Sequence, residues 1–203
     1  MSSRSALAFL LITPLVTGVW AQEGPNRPEP KPVTLDSKTS AVLDVDLSAR
    51  CHDPKQVCSK ITASVGEFLE RARAAGVPII HTVSAAAKGT PLGEVASPLK
   101  RKESEPVIYP DAFDKFAGGE LLAFLKEKGA KTLILIGSSS NVSVLYTATT
   151  AARLHRYNLV IPMDGVNANT RYEQEYTLHQ FTVLPSDANK LFQFTNLSMI
   201  TFR

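Results

Sequence analysis

Carboxylates and hydroxyls in two short segments are the groups with which this chain could do chemistry. Asp44 and Asp46 end one apolar run, and a turn with Ser139, Ser140 and Ser143 follows another. Strand alternation would place both carboxylates on one face, where one of them can keep a proton for acid catalysis. A glycine and serine turn before a helix presents backbone N–H groups to an anion or oxyanion. Such serines are also common helix N-caps, so the turn alone does not establish catalysis.

Residues that follow other apolar runs are further candidates for a binding site. Ligands of parallel sheets bind outside the carboxyl ends of the strands. Asp164 follows a later run, and strand position places His81 and Tyr109 nearest the crevice, so we predict that both line it. A structural role is the alternative for each of them.

Alternating strand and helix signals indicate how these groups would be positioned. Strand patterns cover residues 40–45, 77–83, 107–108, 132–136, 157–161 and 192–202, and helical spacing covers residues 61–72, 121–125 and 141–156. The run at 132–136 is almost wholly β-branched residues and leucine, which is typical of a central parallel strand covered on both faces. The alternation predicts an α/β fold with helices on both faces of a mainly parallel sheet.

The N-terminus has the pattern of a cleavable signal peptide over residues 1–21. Arg4 precedes an apolar run of about 11 residues, against the roughly 20 that a membrane span needs, and Ala21 ends a small-residue cleavage signature. Residues 22–38 form a proline-rich extended segment, and residues 39–203 form one domain. We therefore predict a secreted or periplasmic protein that has no membrane contact after processing.

The charge balance gives no reason to expect a polyanionic partner. The predicted cleavage removes one of the 22 basic side chains, which leaves 21 against 19 acidic ones and a net charge of +2. No run of like charges stands out, so neither nucleic acid nor an anionic membrane is predicted as a partner.

Two cysteines, Cys51 and Cys58, lie seven residues apart. In an exported chain such a pair predicts a disulfide that closes a short loop. A metal site is the weaker alternative, because His52 is the only imidazole nearby.

Taken in order, these segments resemble the isochorismatase-like family, also called the cysteine hydrolases, from Thr39 to Phe202. The matching segments are Ala41 to Asp46, Arg71 to Ile80, Phe116 to Leu121, Gly137 to Val144 with Thr147-Ala148, and Asp164-Gly165. The resemblance implies a three-layer α/β/α sandwich whose Asp, Lys and Cys triad attacks carbon–nitrogen bonds through a thioester. It also implies a small-molecule ligand held near Ser139, Ser140 and Val142, no cofactor, and a homo-oligomer.

Two positions depart from the family pattern. The family resemblance implies a nucleophilic cysteine at the position where this chain has Ser143. It also implies a catalytic lysine before Phe116, and counting back from Phe116 places Pro110 at that position. A serine hydroxyl is a weaker nucleophile than a thiol and needs a well-placed base. If the loop after Tyr109 is rearranged, Lys115 takes the place of the catalytic lysine. Otherwise Lys115 is an ordinary solvated lysine. The Asp, His and His pattern of the family's nicotinamidase branch is absent, so we predict no metal.

Three functions are compatible with these residues. The leading hypothesis is a protein with a degenerate triad that binds a small molecule and has weak or no hydrolase activity. The second is an active hydrolase of an amide, ester or vinyl ether that uses Asp46 with Ser143 or Lys115; isochorismatases proper protonate a vinyl ether from the aspartate and need no thiol. The third is a structural or interaction module.

Overall fold

A parallel β-sheet forms the central layer of the computed structural model, which describes residues 27–203. The strands are β1 (Val33–Leu35), β2 (Ser40–Val45), β3 (Ile79–Thr82), β4 (Val107–Ile108), β5 (Thr132–Ser138), β6 (Asn158–Pro162), β7 (Val166–Asn167), β8 (Phe192–Thr195) and β9 (Ile200–Phe202). The helices are α1 (Thr62–Ala74), α2 (Glu120–Glu127), α3 (Leu145–Arg153) and α4 (Arg171–Val183). The main sheet has the order β4-β3-β2-β5-β6-β8, with β7 paired to the end of β5. All of its strand pairs are parallel.

Helices cover both faces of this sheet, as the sequence predicts. Along β2 and β5 the side chains alternate between two separate apolar clusters. The first cluster contains Leu43 and Leu135 with residues of α2, α3 and α4, whereas the second contains Val42 and Ile134 with residues of α1. Both strands are buried on both faces, which explains their almost continuous apolar sequence. The α/β fold class is therefore confirmed.

Small residues bring α3 close to the sheet. Ala148, Ala151 and Ala152 are all fully buried on one side of α3, in the same cluster as the apolar residues of β5. This contact matters for the site because α3 begins directly beyond the serine turn that ends β5.

The two ends of the described chain differ from the sequence prediction. The single strand predicted over residues 192–202 is two strands, because the chain turns at Leu197–Met199. Only β8 joins the main sheet, and β9 pairs in parallel with β1. Val33–Leu35, within the segment predicted to precede the domain, is therefore part of a second, two-stranded sheet.

The predicted signal peptide and cleavage site lie outside the described residues and stay predictions. Within residues 27–203, no helix has the length and apolar character that would let it cross a membrane.

Candidate functional site

An open pocket of about 670 Å³ lies where several strands of the main sheet end. Its floor and walls come from the segments after β2, β3, β4 and β5, as expected for a ligand crevice at the carboxyl edge of a parallel sheet. The lining residues are Asp46, Ser48, Arg50, Val83, Ser84, Ala87, Leu92, Pro110, Asp111, Ala112, Phe113, Lys115, Ser138, Ser139, Val142 and Ser143.

An ion pair between Asp46 and Lys115 is the central polar feature of this pocket. The Lys115 Nζ atom lies 2.9 Å from Asp46 Oδ2, and the two side chains are 2% and 12% exposed. Asp46 is the first residue beyond β2 and has a positive φ of 60°, a conformation that aspartate tolerates better than most residues. Among the described residues, its second oxygen, Oδ1, has no hydrogen-bond partner.

The segment that carries Lys115 is fixed to α3 by two threonines. The backbone N–H of Lys115 donates to Thr147 Oγ1 at 3.0 Å, and Thr150 Oγ1 donates to Asp114 Oδ2 at 2.7 Å. Counting along the sequence placed Pro110 at the lysine position, which implied a site without a cation. The structure corrects this expectation: Pro110 lines the wall, while Lys115, five residues later, reaches Asp46. Counting residues along the sequence could not identify Lys115 as the cation, because the loop after β4 is irregular.

Ser143 lies in the turn that connects β5 to α3. Ser140–Val144 form a short π-helical turn before α3, and Ser143 is 5% exposed at the pocket. Gly137 makes this path possible, because a Cβ atom there would overlap the carbonyl of Val45 on β2. The structure therefore brings together all three predicted catalytic residues, Asp46, Lys115 and Ser143, around one pocket.

Asp44 and His81 do not line the pocket, although both were selected from the sequence. Both are fully buried, and His81 Nδ1 lies 2.8 Å from Asp44 Oδ2. His81 was predicted to line the crevice, but the structure places it outside the pocket lining, with its ring between two carboxylates. Its other ring nitrogen, Nε2, lies 3.2 Å from Glu105 Oε2.

These groups belong to a buried charge network that continues to the protein surface through Arg73. The Arg73 guanidinium bonds both oxygens of Glu105, at 2.7 and 3.0 Å. Burial opposes the charged form of His81, but its bonds to Asp44 and Glu105 outweigh that effect and raise the pKa of the imidazole. Burial raises the pKa of Asp44. Burial also disfavours the charged form of Glu105, yet the bonds from His81 and Arg73 lower the pKa of this carboxyl to about 2.

The remaining predicted ligand contacts have mixed outcomes. Ser139 and Val142 line the pocket, as predicted. Ser140 does not, because its hydroxyl is buried and donates to Gln174 Oε1 on α4 at 2.9 Å. Tyr109 is also outside the lining, and its ring packs beneath the ammonium of Lys88. Asp164 accepts a hydrogen bond from the backbone N–H of Leu197 at 2.7 Å, which is a structural role.

Sequence reasoning missed two parts of the pocket. One is Arg50, which directly precedes the predicted disulfide loop. The other is an apolar wall that includes Leu92 and Phe113. Both side chains are exposed, so they belong to no periodic apolar pattern in the sequence. The sequence offered one indication that Arg50 belongs to the site, namely that this basic residue lies four positions after Asp46.

The predicted disulfide is present between Cys51 and Cys58, and both cysteines are buried. Within residues 27–203, no three side chains of the types that ligate metals cluster together. The pocket's polar groups are instead the ion pair, the hydroxyl-rich turn after β5, Ser48, Ser84, Asp111 and Arg50.

Comparison with protein families gives a match to the isochorismatase domain over residues 40–188. A curated protein described as the secreted isochorismatase effector Isc1 of Verticillium dahliae is 29% identical over 145 residues, which are 66% of this chain and 76% of that protein.

Solved structures show the same fold. An isochorismatase family protein from Burkholderia thailandensis superposes with a TM-score of 0.70 at 23% identity, over 84% of this chain and 97% of that one. A cysteine hydrolase from Pseudomonas syringae pv. phaseolicola gives 0.67 at 17% identity, over 87% and 95%.

Proposed function

The chain belongs to the isochorismatase family, and we propose that it is an exported hydrolase that cleaves a small vinyl ether by proton transfer from Asp46. The observation that carries the proposal is the Asp46–Lys115 ion pair at 2.9 Å in an open pocket where Ser143 supplies a hydroxyl and no thiol. This set of groups suits a reaction that needs a proton donor more than one that needs a strong nucleophile.

The proton transfer begins the reaction at the vinyl carbon. Asp46 delivers a proton to the terminal carbon of the double bond, and the carbon that bears the ether oxygen becomes an oxocarbenium ion. Water adds to that carbon, and the resulting hemiketal separates into an alcohol and a carbonyl compound. A proton from the added water returns to the Asp46–Lys115 pair, so the enzyme ends each cycle unchanged.

Lys115 contributes in two ways. Its ammonium holds the Asp46 carboxyl in place through Oδ2, the oxygen that lies 2.9 Å from Nζ. The ammonium is also the source of the proton, because it passes one across the 2.9 Å contact to the Asp46 carboxylate, which then delivers it to the substrate. Because both side chains are nearly buried, these charges act with little screening by water.

Amide hydrolysis through Ser143 receives less support. Acyl transfer needs the hydroxyl to lose its proton to a base, and the carboxylate available, Asp46, is already held by Lys115. In the described residues, neither His81 nor any other histidine lines the pocket to act as that base.

A second candidate is a binding protein with weak or no hydrolase activity. Ser143 favours it, because this hydroxyl replaces the thiol that the family resemblance implies. The open pocket favours either a hydrolase or a binding protein over a purely structural module, since no side chain fills it.

Export is part of the proposal. A disulfide is stable in oxidising compartments, and the buried pair Cys51–Cys58 supports a location outside the cytoplasm. The predicted signal peptide agrees with this location, and the similar Verticillium protein is described as secreted.

The test compares turnover of isochorismate by the wild-type protein with turnover by Asp46→Asn and Ser143→Ala. We expect Asp46→Asn to lower kcat by about 10²–10⁴-fold, the usual contribution of a general acid, and Ser143→Ala to keep most of the rate. Loss of turnover in Ser143→Ala would indicate a covalent mechanism. Tight binding of isochorismate without turnover by the wild type would favour the binding protein.

A further inference from the structure

The structure points to Arg50 as a specificity-determining residue: we infer that it binds a carboxylate on the substrate while the Asp46–Lys115 pair acts on the vinyl ether. The inference rests on the proposed function for the identity of the reaction, but the binding of an anion at Arg50 is a separate property of the pocket.

Arg50 is an exposed side chain at the pocket, and it differs from Arg71 and Arg73 in how few of its donors are used. Arg71 donates to the carbonyls of Leu197 and Ile200, and Arg73 bonds two carboxylates. Arg50, by contrast, makes one side-chain hydrogen bond within residues 27–203, a 3.4 Å contact from Nη2 to the Ser138 carbonyl. No carboxylate of those residues lies within ion-pair distance of it. A guanidinium has five N–H donors, so most of them are available to a ligand.

The backbone around Arg50 is held in place on both sides. Before it, the Ala49 N–H donates to the Glu94 carbonyl at 2.7 Å. After it, the loop is closed by the buried Cys51–Cys58 disulfide, and Asn167 Nδ2 donates to the Val57 carbonyl at 2.7 Å. Because the backbone is fixed, ligand binding has to order only the Arg50 side chain and not the loop, which favours affinity.

The rest of the pocket indicates what the carboxylate is attached to. Val83, Leu92, Phe113 and Val142 supply apolar surface beside the charged groups. A small carbon ring would pack against that surface, with its carboxylate on the planar fork of Arg50 and the reacting group at Asp46. Asp111 also lines the pocket and is exposed, so a substrate with more than one negative charge must keep its second anion away from Asp111.

The experiment measures binding of benzoate and of benzamide, its uncharged counterpart, by titration calorimetry. We expect the wild-type protein to bind benzoate more tightly than benzamide. Arg50→Gln should weaken benzoate binding by about tenfold to a hundredfold, the range for a hydrogen bond to a charged group, and leave benzamide binding within about twofold. Arg50→Lys should fall between the two, because lysine keeps the charge but not the bidentate geometry.

The matched control is Arg153→Gln, which removes an exposed arginine that bonds the Pro185 carbonyl and does not line the pocket. This variant should bind benzoate as the wild type does. Equal binding of benzoate by wild type and Arg50→Gln would overturn the inference, and so would a wild type that binds benzoate no better than benzamide.

Failure of this inference is distinguishable from failure of the proposed function. If isochorismate is not hydrolysed but benzoate binding depends on Arg50, the reaction is wrong and the anion site stands. If hydrolysis depends on Asp46 but Arg50→Gln leaves KM for isochorismate unchanged, the reaction stands and the anion site is wrong.

Discussion

Asp44 and Asp46 lie two residues apart, yet one belongs to a buried charge network and the other to an open pocket. Asp44 is inside β2 and fully buried against His81, whereas Asp46 has left the strand with a positive φ and meets Lys115 at the pocket. Strand alternation predicted that both carboxylates share a face. The comparison teaches that alternation holds only as far as the strand does, and that one residue of irregular backbone separates a fully buried carboxylate from one that lines a pocket.

The two ion clusters also differ in how completely their charges are paired. His81 has a carboxylate on each ring nitrogen, and Glu105 is bonded by both His81 and Arg73. Asp46, in contrast, has one charged partner, Lys115. Asp44 and Asp46 each keep an Oδ1 atom that is buried without a hydrogen-bond partner among the described residues, so the carboxylates differ mainly in place: only Asp46 lines the pocket.

The largest expected effect comes from breaking the buried network at its centre. His81→Leu leaves the buried Asp44 without its partner and Glu105 with Arg73 alone, and it should lower the free energy of unfolding by about 3–5 kcal/mol, measured by urea denaturation. Asp46→Asn leaves the buried Lys115 ammonium without its carboxylate and should lower it by less, about 1–3 kcal/mol, because this pair borders an open pocket. If His81→Leu does not fold, Asp44→Asn is the milder variant for the same measurement. Unchanged stability in both network variants would contradict the structural role.

The next effect comes from the pocket pair. Lys115→Met removes the ammonium that orients Asp46 and should lower kcat for isochorismate by about a hundredfold, as for the loss of one preorganised charge. Lys128→Met is the control, because Lys128 pairs with Glu127 at an exposed site. Equal kcat in Lys115→Met and wild type would mean that the ion pair is structural, as the Asp44 network is.

The smallest effect is a pH dependence that belongs to the network alone. Because the pKa of Glu105 is lowered to about 2 in the folded protein, against an ordinary 4.5, its contribution to stability is complete above pH 4.5 and is lost as pH falls toward 2. Glu105→Gln should therefore be about 1–2 kcal/mol less stable than wild type at pH 6, with the difference shrinking toward pH 2. The measurement is the free energy of unfolding of both proteins across this range. A difference that does not change with pH would show that the Glu105 charge is not stabilised by the fold.

The sequence by itself determined the regular parts of the protein. The apolar runs at β2 and β5 predicted buried parallel strands, and the periodicity of α1 and α2 predicted helices on the sheet. The family resemblance and the Cys51–Cys58 pairing were also predicted from the sequence and are confirmed. These features depend on local patterns of side chains, so they can be predicted without knowing which distant residues are in contact.

The tertiary structure alone decided which side chains form the site. Lys115 reaches Asp46 because an irregular loop is fixed to α3 by Thr147 and Thr150, and no periodic pattern encodes the path of such a loop. His81 was assigned to the pocket from its strand position, but its partners come from β2 and from Glu105, 24 residues away. A charged side chain pairs with whatever opposite charge the folded chain brings within a few ångströms, so its role depends on contacts between segments far apart in sequence.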